Sequence, residues 1–226
     1  MNGFRLLSLG VILTAVGACS NQPSGSAAAP VEKVREVQTQ TLPVQKAQSF
    51  QQPFVPFTVY QDKASRNRFT PSGYMPNGEC INLDDSWQHD PKEGKTSVRI
   101  VYDVECSRQS RQWAGVYWQN PPDNWGDRKG GYNLAGATRL SFWAKGELGG
   151  ERIEEFRTGG IGSNGLYPDS DTAIIGPVIL TNQWKKYIID LRGKDLSYIS
   201  GGFAWTANVD SNPHHCTFYV DDIRFE

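Results

Sequence analysis

The chain has no apolar run long enough to cross a bilayer as a helix. Its longest such stretch, LLSLGVILTAVGA at residues 6–18, falls short of the ~20 residues a membrane span needs. Neither charge is in excess. There are 23 Lys and Arg against 24 Asp and Glu, with no basic block, which argues against nucleic acid as a partner. Histidine is scarce, at three residues. Two of the three are adjacent in NPHHC (212–216), and neighbours in a strand point to opposite faces, a poor arrangement for ligating zinc. No serine-nucleophile motif or reactive Cys–His pair occurs. The Gly-rich runs SYISGGFAW and RTGGIGSNG lack the strand–loop–helix setting of a phosphate cradle. No long segment repeats its apolar residues at helical period. What the chain does have is aromatic area: seven Trp, nine Tyr and ten Phe. Three of the tryptophans fall in one stretch of fourteen residues, WAGVYWQNPPDNWG at 113–126.

The two ends of the chain differ in kind. Residues 1–18 read as a signal peptide, with a short basic start, an apolar centre and small residues before Cys19. The order Val16-Gly17-Ala18-Cys19 resembles a bacterial lipobox, which makes Cys19 the candidate site of lipidation; the alternative is an ordinary secretory peptide ending near a cysteine. Ser20 in place of Asp, by resemblance to proteobacterial lipoproteins, implies a lipid anchor in the outer membrane and leaves its face open. Residues 19–53 are small, polar and Gln-rich. Such a segment buries too little to offset its chain entropy, so it reads as a disordered tether. Residues 54–226 are long enough for one domain with a real core.

That domain reads as all-β. Runs such as FTVY (57–60), TSVRIVYDVEC (96–106), TRLSFWAKG (138–146), WKKYIIDL (184–191) and CTFYVDDIRFE (216–226) recur between Gly, Pro, Asn and Asp clusters. Many short strands and no helices predict a β-sandwich or jelly roll of antiparallel sheets. After Cys19 three cysteines remain, Cys80, Cys106 and Cys216, so one stays unpaired within the chain. With Cys106 ending one strand and Cys216 opening another, Cys106–Cys216 is the preferred disulfide and Cys80–Cys106 the competitor.

Alternation assigns faces to the aromatics. Val116 and Trp118 pair with the core; Trp113, Tyr117 and Gln119 point the other way, with Gly115 leaving a depression between them. Leu140 and Phe142 face inward, so Trp143 and Lys145 face out. Phe156 faces inward, which turns Glu155 and Arg157 outward. Trp205 fits either side. Trp87 and Trp184 are the first candidates for structural packing. Rings next to Gln, Arg and Glu suit a saccharide: the apolar face of a pyranose stacks on an aromatic ring, and its hydroxyls need paired donors and acceptors. The candidate set is Trp113, Tyr117, Gln119, Trp143, Arg157 and Trp205. Asn124 and Trp125 are candidate ligand contacts, with pinning of the NPPDNWG loop as the alternative role for Trp125.

WAGVYWQNPPDNWG, LSFWAKG, WKKYIIDL and the closing FYVDDIRFE resemble carbohydrate-binding modules of the galactose-binding-like jelly-roll superfamily, nearest to the family-eleven type, over roughly residues 57–226. The resemblance implies two antiparallel sheets, a sugar-binding concave face and a structural calcium. On this chain the calcium would fall on Asp62 and Asp222, with Asp221 competing for the second position; carboxylates suit that hard cation. Such modules usually sit beside a hydrolase, and no hydrolase is present in these 226 residues. The expectation is therefore a non-catalytic glycan binder at the bacterial envelope. The alternatives are an assembly lipoprotein binding another envelope protein, and a small glycan-active hydrolase using Glu155 with Asp169 or Asp171.

Overall fold

An alternating strand is stable only when its apolar side is covered, and two such strand layers cover each other. In the computed structural model, residues 53–76, 78–214 and 216–226 are described; the signal peptide, Cys19 and all but the last residue of the tether lie outside them. The strands run β1 Phe57–Tyr60, β2 Thr70–Met75, β3 Ile81–Trp87, β4 Ser97–Tyr102, β5 Trp113–Gln119, β6 Arg139–Gly146, β7 Arg152–Ile153, β8 Glu155–Gly159, β9 Thr172–Ile175, β10 Val178–Ile179, β11 Lys185–Asp190, β12 Gly201–Asn208 and β13 Cys216–Phe225, with one short helix, α1 Val104–Arg108. One sheet has the order β11-β6-β13-β4-β3, with β1 also paired to β13. The other has the order β2-β5-β12-β8-β9, and β7 and β10 form a small separate pair. All of these pairings are antiparallel. The chain is an all-β jelly-roll sandwich, as the strand pattern and the resemblance both predict.

The core fills the space between the two larger sheets. Val98, Ile100, Leu140, Phe142, Phe218 and Val220 come from the first; Val116, Trp118, Phe156, Phe203 and Trp205 come from the second, all fully buried. The rings interlock across the layers. Phe142 meets Phe156 at 4.7 Å and Phe203 at 5.0 Å, and Trp205 meets Phe218 edge-on at 5.0 Å. Edge-to-face packing of this kind adds to the area each ring buries.

Three expectations change. The run TSVRIVYDVEC is not one strand: β4 stops at Tyr102 and α1 follows. The cause is local, because the Asp103 carboxylate accepts the Cys106 N–H and caps the helix. The disulfide is Cys80–Cys106, with Cα atoms 5.5 Å apart, and not Cys106–Cys216. The helix carries Cys106 away from the strand end, while the Asp103 N–H donates to the Cys80 carbonyl and draws the two segments together. Cys216 points into the core and is free. Trp87 and Trp184 are not core residues; they are half-buried on the outer side of the six-stranded sheet.

Candidate functional site

The outer side of the five-stranded sheet holds most of the expected set. Register places two rows of side chains there. One row runs Gly73, Tyr117, Ala204, Arg157, Ile174; the next runs Met75, Gly115, Thr206, Glu155. Trp113 stands two residues beyond Gly115 on the same side and is 38% exposed. Gly115 cannot take a side chain: a Cβ would come within 2.5 Å of the Trp205 carbonyl oxygen and 2.9 Å of Thr206 Cγ2. The second row is a band crossing the strands in which Met75 and Thr206 close over Gly115, with Trp113 on one side and Tyr117 on the other. Those two are four positions apart, about 14 Å of chain, the span of a saccharide lying across the sheet.

One wall of the band is built from two loops. Asn124, fully buried, accepts the Gly126 and Arg128 N–H groups and donates to the Arg128 carbonyl, which ties the NPPDNWG turn to itself. Gln119 Nε2 donates to the Asn124 carbonyl at 2.9 Å, and Ser72 Oγ donates to Gln119 Oε1 at 2.9 Å. The neighbouring loop carries Ile161 to Asp169. Its base is held by Asp169, whose carboxylate accepts from the Ser200 N–H and hydroxyl, the Ile161 N–H and the Gly201 N–H. Burial nonetheless raises the Asp169 pKa above its ordinary value. The two loops touch at Gly126 and Gly162, both at positive φ, and a Cβ on Gly126 would lie 2.6 Å from Gly162 Cα. The Tyr167 N–H donates to the Gly126 carbonyl at 2.9 Å. Trp125 (42% exposed) and Tyr167 thus stand on braced loops as large exposed rings.

Beneath them, Tyr117 meets Trp125 edge-on at 5.9 Å. Arg157 Nη1 lies 3.4 Å from the Tyr117 hydroxyl, and its Nη2 pairs with Glu155. Burial pushes the Tyr117 phenol up. Burial also opposes the Arg157 charge, but Tyr117 and Glu155 hold its pKa above the usual guanidinium value. Arg157 Nε has no hydrogen-bond partner among the described residues.

The six expected contacts do not share one surface. Trp113, Tyr117, Gln119 and Arg157 belong to this side of the five-stranded sheet. Of these, Tyr117 is 4% exposed under Ile161 and Trp125, and fully buried Gln119 serves the loop. Trp205 is fully buried in the core. Trp143 lies on the opposite sheet, under the ammonium of Lys92 at 4.3 Å. Alternation read the two sides of β5, β6 and β8 correctly, but it carries no information about which sheet a strand joins. Tyr167 was missed because it lies in a polar loop, YPDSDT, with no strand pattern to mark it.

The carboxylates named for calcium are engaged otherwise. Asp62 Oδ1 accepts the Lys95 and Thr96 N–H groups, and Asp222 Oδ2 pairs with Arg224 at 2.6 Å. Asp221 Oδ2 accepts the Lys92 and Glu93 N–H groups. Among the described residues no three His, Cys, Asp or Glu side chains converge on one metal-sized position. Calcium takes oxygen ligands, and at least one oxygen of each of these carboxylates is already engaged by N–H groups or a guanidinium.

Asp221 leads instead to a pH prediction. Burial raises its pKa to about 6 from an ordinary 3.8. Between those values the folded state holds a proton that the unfolded chain has lost. Stability from this group is therefore complete below about pH 4 and is lost as pH rises through 6, by up to roughly 3 kcal/mol. Asp221→Asn is expected to flatten the profile of Tm against pH between 4 and 7. Asp169 and Asp222, also raised by burial, keep part of the slope. An unchanged profile would show that Asp221 does not hold the proton.

No family model matches this chain, and none of the curated proteins matches it. Solved structures do. A family 30 carbohydrate-binding module matches at 18% identity, covering 76% of this chain and 87% of that one, with a TM-score of 0.48. The family 30 module of a cellulosomal cellulase of Clostridium thermocellum matches at 18% identity, covering 76% and 97%, with a TM-score of 0.48. The family 11 module of Clostridium thermocellum, solved with a β-1,3-1,4-mixed-linked tetrasaccharide, matches at 15% identity, covering 73% and 92%, with a TM-score of 0.46. All three are distant similarities to this chain.

Proposed function

We propose that the domain binds a saccharide, without turnover, across the band on the outer side of the five-stranded sheet. One observation carries the reading: the braced rings of Trp125 and Tyr167 stand beside buried Tyr117 and the part-exposed Arg157–Glu155 pair, whose side chains are 25% and 35% exposed. Rings supply stacking area, and the cluster supplies oriented donors and acceptors for hydroxyls. The acids weighed for hydrolysis are committed elsewhere. Glu155 pairs with Arg157, Asp169 holds the loop base, and Asp171 accepts the Thr172 and Asp195 N–H groups and pairs with Lys194. None is left as a free pair across the band, which supports binding without catalysis. We also propose attachment to the bacterial outer membrane through lipid on Cys19, with residues 19–53 as the tether.

Affinity electrophoresis of the full chain through gels containing mixed-linkage β-glucan, xylan, glucomannan, pectin or peptidoglycan fragments tests the reading. Retardation on one glycan is expected, reduced roughly 10-fold or more by Arg157→Ala, whose loss strips a charge-assisted hydrogen-bonding group from the site. Normal migration on every gel would overturn it. One observation favours a second reading. Leu166, next to Tyr167, is 82% exposed, and an apolar loop tip suits a protein partner in the envelope; a chain that ignores every glycan would point there.

A further inference from the structure

The outer side of the six-stranded sheet ought to be the plain polar back of the sandwich. It instead carries Trp87, Trp143 and Trp184, three of the chain's seven tryptophans. Trp87 and Trp184 flank Tyr219, with ring centroids 6.3 and 6.4 Å from it on either side. The polar ends of these rings are fixed from within. Trp184 Nε1 donates to the Asp90 carbonyl at 3.0 Å, and the Tyr219 hydroxyl donates to Glu147 Oε1 at 3.1 Å. Tyr219 is buried, while both tryptophans remain half-exposed.

Between the tryptophans lies a set of opposed charges. Lys145 sits 5.1 Å from the Trp184 and Tyr219 rings and pairs with Asp90. Arg99 sits 4.9 Å from the Trp87 ring, and its Nη2 lies 3.7 Å from Glu147 Oε1. Lys145 and Arg99 each face an anion, so between Trp87 and Trp184 the patch offers donors and acceptors with little net charge, with Lys92 set apart over Trp143. That balance disfavours a phosphate, a nucleic acid or a charged peptide, each of which would leave one partner of a pair uncompensated. An uncharged ring that is apolar on its faces and hydroxylated at its edge fits both components.

We infer that this face is a second saccharide-binding surface, with Trp87 and Trp184 as the stacking rings and Lys145, Arg99 and Glu147 as hydrogen-bonding groups. The sandwich then presents a glycan surface on each sheet and can hold two chains, or two parts of one chain, at once. The inference shares the chemistry of the proposed function but stands on separate residues.

The test uses the full chain in gels containing mixed-linkage β-glucan, xylan or glucomannan. Four forms are compared: wild type, Trp125→Ala, the double variant Trp87→Ala/Trp184→Ala, and all three changes together. The double variant is expected to weaken retardation roughly 2- to 10-fold, Trp125→Ala to leave a residue of binding, and the triple variant to abolish it. Trp184→Tyr, which keeps a ring, should retain more binding than Trp184→Ala, and thermal melts confirm that each variant is folded. If Trp125→Ala removes all retardation and the double variant runs as wild type, the second surface is overturned and the first stands. If retardation is lost in the double variant and kept in full by Trp125→Ala, the second surface stands and the first is overturned. A wild type that none of these gels retards overturns the second surface, and one that pectin and peptidoglycan gels also fail to retard overturns the first.

Discussion

Trp205→Ala is expected to lower stability by roughly 3–5 kcal/mol, the range for removing a large aromatic from a packed core. In a domain of this size that is a fall in Tm of roughly 6–20 °C. The indole is fully buried, edge-on to Phe218, and its Nε1 has no hydrogen-bond partner among the described residues. No polar contact is lost with it, so the penalty comes from lost packing and the cavity left between the sheets. Trp113→Ala is the control. Trp113 is one of the exposed rings on the same five-stranded sheet, and its loss should cost stability within about 0.5 kcal/mol, as for most surface changes. Thermal melts of the two variants decide the matter. Equal, small shifts would mean that Trp205 faces solvent and returns to the set of ligand contacts.

Removing the Cys80–Cys106 bridge is expected to cost about as much by a different route. The bond closes a loop with a sequence separation of 26. Loop-closure entropy for that length amounts to about 3.5 kcal/mol, or a fall in Tm of roughly 7–14 °C. Cys80→Ser/Cys106→Ser, or reduction of the native chain, should show it in a thermal melt. Cys216→Ala should fall well short of that, since it breaks no bond. The Cys216 thiol is buried and its pKa is pushed up to about 12, chiefly by burial and then by Glu151, so it should resist alkylation at neutral pH until the domain unfolds. Alkylation of Cys216 in the folded chain, or a bridged peptide containing it, would contradict the pairing.

These two expectations mark where reading residues in order stops. The all-β class was legible from the sequence because strand alternation is a local property. Val98, Ile100, Leu140, Phe142, Val116, Trp118 and Phe156 face the core as their spacing predicts. The polar side of WAGVYWQ was legible for the same reason, as was the placing of Glu155 and Arg157 on one outward side. Period two assigns each residue to one of two sides, and nothing further is needed.

Which sheet a strand joins is a different kind of fact. Trp143 and Trp113 both point away from the core, yet β6 and β5 lie in opposite layers, so one candidate face became two. Strand order depends on long-range pairing that no local period encodes. The exposure of Tyr117 and Gln119 was likewise decided by tertiary structure. Both sit on the expected side, and both are covered by loops whose positions depend on Gly126 meeting Gly162 and on Asp169 reaching Ser200. Cys106 paired with Cys80 because a single capping carboxylate, Asp103, ended β4 and turned the chain into a helix. By itself the sequence determined the sides of the strands and the chemistry available to each. The tertiary structure decided which of those sides meet, which are covered and which stay open, because these depend on contacts between residues far apart in the chain.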